Sequence, residues 1–102
     1  REIAALVTRF LEGLRQRKQA MARALAGREA GTLRSEVHQI KGTAGAMGYP
    51  AMTRQAGILE ALLKGDDDPD WDRVRSELAT LDEMIDRALG ATATSPRVSE
   101  NK

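Results

Sequence analysis

The sequence predicts an all-α protein, an antiparallel up-and-down four-helix bundle. Three observations predict it. Apolar residues recur three and four apart in four successive stretches. No stretch alternates apolar and polar residues as a strand does. The links between stretches are short and carry glycine or proline, which suits helices folding back on their neighbours.

The first stretch carries Ile3, Leu6, Val7, Phe10, Leu14, Met21 and Leu25, and Arg17 and Lys18 interrupt its stripe. The long stems of such basic residues cover apolar surface while their heads stay in water. Gly27 is its expected end. The second stretch begins between Arg28 and Thr32 and carries Ala30, Leu33, Val37, Ile40, Ala44 and Met47. Gly48 is its expected stop, and Pro50 fits the first turn of the next helix, where a missing N–H is harmless. The third carries Met52, Ala56, Leu59, Leu62 and Leu63 and stops near Gly65. The fourth has the cleanest stripe: Trp71, Val74, Leu78, Leu81, Ile85 and Ala88. Asp68 is its expected N-cap and Pro69 its first helical residue, with Asp70 and Asp72 favoured by the helix dipole. Gly90 is expected to end it. Residues 1–90 are thus the bundle, and 91–102 a small, polar, disordered tail.

The 102 residues suit one domain around one core. Sixteen basic and fifteen acidic residues leave a net charge of +1, without the basic footprint of a nucleic-acid binder. Phe10, Tyr49 and Trp71 are the only aromatic residues, too few for a base-stacking platform. No apolar run approaches the ~18 residues of a membrane span, and no secretory signal pattern opens the chain. The absence of cysteine excludes disulfides, thiolate metal sites and cysteine nucleophiles, and is compatible with a reducing cytoplasm.

The chemistry gathers in His38-Gln39-Ile40-Lys41-Gly42-Thr43-Ala44-Gly45-Ala46-Met47-Gly48, which holds the only histidine. On a helical wheel, Leu33, Val37, Ile40, Ala44 and Met47 define the buried side. His38 falls on the opposite face with Arg34, Lys41, Gly42 and Gly45. An interior helix glycine costs roughly 0.5–1 kcal/mol relative to alanine. Two of them beside an exposed histidine suggest that another molecule approaches the backbone there. The plainer reading of the glycines is tight packing, and that of Lys41 an ordinary surface charge.

Residues His38-Gln39-Ile40-Lys41-Gly42, followed by Gly45, Gly48 and Leu59-Glu60, resemble the core of the histidine-containing phosphotransfer (Hpt) domain, and the likeness spans roughly Ile3 to Gly90. Val37 stands where many members carry a smaller residue. The resemblance implies a phosphorelay intermediate. His38, exposed on the second helix, accepts a phosphoryl group from the phospho-aspartate of a response-regulator receiver domain and passes it to another receiver. Lys41 stabilises the phosphoryl charge, while Arg34, Gly42 and Gly45 face the docking partner. The domain itself needs no cofactor; the receiver brings Mg. No glycine-rich nucleotide loop or kinase motif is present, so no autonomous kinase activity is expected. The expected protein is a cytoplasmic monomer that binds no nucleic acid and does not insert into a membrane. It is either free-standing or tethered through a parent hybrid sensor kinase. A start at Arg1 and the polar tail favour the hybrid-kinase module.

Other readings compete. A non-catalytic helical scaffold would leave His38 inert. Met21, Met47, Met52 and Met84 suit an adaptable peptide groove, but at helical spacing suit a core better. One histidine without cysteine does not supply the ligands of a zinc or copper site. Asp66, Asp68, Asp70 and Glu77 match positions of an EF-hand loop, but Trp71 occupies its glycine position and already belongs to the fourth stripe. The expected number of metal ligands is therefore none.

Overall fold

A computed structural model describes the backbone of residues 2–65 and 67–101, and the side chains of 4–65 and 67–90. The described residues form four helices and no strand: α1 (Glu2–Ala26), α2 (Ala30–Ala46), α3 (Pro50–Leu62) and α4 (Trp71–Asn101). Each helix packs on its neighbours in sequence, and α4 closes the ring against α1.

The core follows the stripes. In α4 all six expected positions, Trp71, Val74, Leu78, Leu81, Ile85 and Ala88, are buried. In α2, Leu33, Val37, Ile40 and Ala44 face inward, and Met47 is half-buried. The α1 stripe differs from expectation. Leu11, Leu14, Met21 and Ala24 are its buried residues, while Val7, Phe10 and Leu25 are half-buried and Leu6 is 49% exposed. The seam runs Val7, Leu11, Leu14, Lys18, Met21, Leu25, spaced alternately by four and three, and passes through a lysine. Lys18 holds this place because its ammonium lies 2.7 Å from Asp86 on α4, and that contact raises its pKa. Arg17 beside it reaches Glu36 on α2 at 2.8 Å. The side chain of Ile3, also expected in the stripe, lies outside the described residues.

The helix ends set the geometry. At the end of α1 the left-handed residue is Arg28 (φ 52°), not Gly27. Its N–H bonds to Leu25 O at 3.0 Å and the Glu29 N–H to Ala24 O at 2.9 Å, a Schellman closure. The Arg28 guanidinium lies 5.9 Å from the Trp71 ring centroid, a compensating cation–π contact. The end of α2 repeats this closure with Gly48 at φ 88°, where Gly48 N–H meets Gly45 O at 3.3 Å and Tyr49 N–H meets Ala44 O at 2.9 Å. Tyr49 then stacks on Phe10 with centroids 5.5 Å apart, and Pro50 opens α3.

Two boundaries correct the sequence reading. Asp70, not Asp68, caps α4: its carboxylate accepts the Arg73 N–H at 3.2 Å and its carbonyl the Val74 N–H at 2.9 Å. Asp68 instead accepts the Trp71 indole N–H at 3.1 Å. Pro69 thus precedes the cap rather than opening the helix. Second, α4 passes the expected stop at Gly90 and runs to Asn101, through residues expected to be a disordered tail. A single glycine lowers helix propensity by about 1 kcal/mol but keeps its N–H and C=O in the ladder, so it does not by itself stop a helix. The side chains of 91–102 lie outside the described residues.

Gln55 fixes α3 against α4. Its buried amide donates to the Glu77 carbonyl at 2.9 Å and to Glu77 Oε1 at 2.7 Å, which with Arg73 holds the Glu77 carboxyl below the usual range. This anchor sets the register of the helix that faces α2 across the site.

Candidate functional site

His38 lies on α2 between Val37 and Ile40, both fully buried, so its backbone is held while its side chain is 62% exposed. Across from it, α3 carries one acidic residue, Glu60, whose side chain is only 16% exposed. Glu60 bridges two residues of α2. Its Oε2 stands 2.8 Å from His38 Nδ1, and its Oε1 stands 2.6 Å from Lys41 Nζ. Lys41 first, then His38, hold the Glu60 carboxyl below the usual carboxylate range. An ionised carboxylate only accepts hydrogen bonds. Nδ1 is therefore the donor in this contact, and in the neutral ring Nε2 is the nitrogen that keeps its lone pair.

The Lys41 stem passes Gly57 on α3, where an added Cβ would make an ordinary van der Waals contact with it at 3.7 Å. Thr53 adds a further tie, its hydroxyl donating to the Lys41 carbonyl at 3.3 Å.

The two expected glycines part company. A Cβ at Gly42 meets nothing within 4 Å among the described residues, so this exposed position is open. A Cβ at Gly45 would stand 3.2 Å from the Thr53 hydroxyl, so close packing against α3 accounts for this glycine. Gly42 also borders a groove of about 370 Å³ between α1 and α2, lined in part by Leu6, Phe10, Thr43, Ala46 and Met47. Arg34, one turn before His38, is exposed and borders a different cavity.

Sequence reasoning placed His38, Lys41 and Gly42 on one helix but gave no role to Glu60 beyond family likeness. Its signal was its solitude: α3 has no other carboxylate to serve the basic face of α2.

A family model described as the Hpt domain matches residues 5–91. The chain belongs to the Hpt domain family. Membership implies histidine phosphotransfer within a phosphorelay, and receiver domains of response regulators as the interacting class. The histidine available to this Hpt domain is His38, the only one in the chain. No curated protein and no solved structure shows significant similarity to it. Among the described residues of this Hpt domain, no helix is long and apolar enough to cross a membrane. No group of three or more His, Cys, Asp or Glu side chains among them is arranged for a metal ion. In the acidic stretch, Asp68 and Asp70 bond to Trp71 and Arg73, and Glu77 to Gln55 and Arg73. Asp66 lies outside the described residues.

Proposed function

We propose that His38 Nε2 accepts a phosphoryl group from the phospho-aspartate of one receiver domain and yields it to an aspartate of another. The observation that carries this reading is the Glu60 clamp on Nδ1, which leaves Nε2 of an exposed ring as the nucleophile. As the Nε2 lone pair forms the N–P bond, the acyl-phosphate P–O bond breaks and the aspartate carboxylate leaves with the electron pair. The Nδ1 proton stays in place, and Glu60 balances the positive charge that develops on the ring. Phosphoryl transfer of this kind rests on positioning and electrostatics. Lys41 keeps Glu60 ionised and adds positive charge beside the ring.

The receiver seats over α2 along the α1–α2 groove, where Gly42 leaves the approach to His38 clear. Gly45 supports that face from its contact with α3. The divalent metal belongs to the receiver, and the domain has no kinase activity of its own. It works as a cytoplasmic monomer, its four helices alternating in direction, either free-standing or as a module of a hybrid sensor kinase.

The test is to mix the domain with a pre-phosphorylated receiver and follow the receiver's phospho-aspartate. Transfer onto the domain within the receiver's own hydrolysis time is expected. An undisturbed receiver decay, with no label on the domain for any receiver of the same cell, would favour the scaffold reading.

A further inference from the structure

Beside His38 lies an open cavity of about 420 Å³, bordered by Gly31, Arg34, Ser35, Glu60 and Lys64. Lys41 is not on its wall. We propose that this cavity is the phosphoryl-oxygen pocket, with Arg34 and Lys64 as the cations that hold the transferred group. The proposal rests on the reading that His38 is the acceptor.

The argument begins with the charge already present. The Lys41 ammonium lies 2.6 Å from Glu60 Oε1, so one cation and one carboxylate offset each other beside the ring. A phosphoryl group brings close to two further negative charges. The positive charge that develops on the ring meets part of that charge, and the cavity wall supplies two further cations for the rest. Among the described residues neither Arg34 nor Lys64 takes part in an ion pair or a side-chain hydrogen bond. Both side chains belong to exposed residues, free to reach oxygens in the cavity.

The placement comes from two elements. Arg34 stands one turn before His38 on α2. Lys64 follows the last turn of α3, its N–H bonded to Ala61 O at 3.4 Å, four residues beyond Glu60. One therefore reaches the ring from α2 and the other from the segment that follows α3. A guanidinium offers a planar fork to two phosphoryl oxygens, and an ammonium a mobile point charge. The Ser35 hydroxyl adds a donor on the same wall. At Gly31 on the same wall an added Cβ meets nothing within 4 Å among the described residues, so this side of the cavity is uncrowded. Lys41 then acts as a positioning residue through Glu60, while Arg34 and Lys64 touch the group being transferred.

Phosphoramidate, a small donor that needs no protein docking, tests this. Nε2 forms the N–P bond as the donor's P–N bond breaks and ammonia leaves. Wild type, Arg34→Gln, Lys64→Gln, Lys64→Arg and Lys41→Gln domains are compared by labelling rate and by the pH titration of the phosphohistidine ³¹P signal. Circular dichroism checks that each is folded. Arg34→Gln and Lys64→Gln are each expected to slow labelling by roughly tenfold. Both should move the phosphoryl titration to higher pH, because the dianion loses a cation. Lys64→Arg should restore both readouts. Wild-type rates and titrations in Arg34→Gln and Lys64→Gln would overturn the pocket, and a titration shift confined to Lys41→Gln would assign the group to Lys41 instead. Failure of wild type to take label at all would overturn the acceptor reading on which the pocket rests.

Discussion

Glu60 Oε2 stands 2.8 Å from His38 Nδ1, joining the exposed face of α2 to a carboxylate largely covered on α3. The contact decides which ring nitrogen is free, and it ties the reactive residue to the α3–α4 anchor at Gln55. The first prediction follows from it. Glu60→Gln keeps a polar group of the same size but can offer Nδ1 either a carbonyl or an amide. Nitrogen-15 shifts of the ring should report one neutral tautomer in wild type and a mixture in the variant. Receiver-dependent transfer should fall by roughly tenfold. A single tautomer and an unchanged rate in Glu60→Gln would leave Glu60 a bystander.

The same carboxylate carries a pH dependence. Lys41 and His38 hold the folded Glu60 carboxyl below its ordinary value. On acidification the unfolded chain therefore takes the proton first. The stabilisation is complete above the unfolded carboxyl's pKa and is lost as pH falls through the folded one. The melting temperature of wild type should exceed that of Glu60→Gln at neutral pH, and the gap should narrow through the acidic carboxylate range. A gap that stays constant with pH would contradict the assignment.

Asp82 on α4 should behave in the opposite sense. Its Oδ1 is buried without a hydrogen-bond partner among the described residues, and burial raises its pKa, with Lys18 opposing and Asp86 adding to the shift. The folded carboxyl is thus easier to protonate than the unfolded one, so its charge destabilises the fold at neutral pH and the penalty fades on acidification. Asp82→Asn should melt a few degrees above wild type near neutral pH, with the difference shrinking toward acid. Thermal denaturation at several pH values measures it, and a variant less stable than wild type at every pH would refute the account.

Gly42 and Gly45 give a paired test of packing against docking. Gly42→Ala should stabilise the domain by about 0.5–1 kcal/mol, because the new Cβ meets nothing. Gly45→Ala should gain less or lose stability, since its Cβ presses the Thr53 hydroxyl at 3.2 Å. Gly42→Gln should remain as stable as wild type yet impair transfer from a receiver far more than transfer from phosphoramidate. Unfolding of Gly42→Gln would make the glycine a packing residue, and untouched receiver transfer would move the docking face elsewhere.

The parts of this molecule legible in the sequence are those ruled by local periodicity. The α4 stripe from Trp71 to Ala88 and the α2 face opposite His38 follow from the helical repeat alone. Long-range pairing was not legible. Lys18 reads as a break in the α1 stripe until Asp86 is brought beside it, and the true seam through Leu11 shows only then. Asp68 and Asp70 are equivalent as caps on local grounds, and the Trp71 indole claims the first. Gly45 falls on the same expected face of α2 as Gly42, and only the position of Thr53 separates them. Glu60 and Lys64 reach the site because α3 packs across α2, a placement no spacing within α2 encodes.

The central claim is that His38 is the acceptor, and phosphorylation mapping tests it most directly. Wild type and His38→Gln are incubated with a phosphorylated receiver, and the label is tested for stability in acid and alkali. The account predicts an acid-labile, alkali-stable phosphoramidate on wild type and none on a folded His38→Gln. A label of equal yield on His38→Gln, or one stable to acid on wild type, would contradict it.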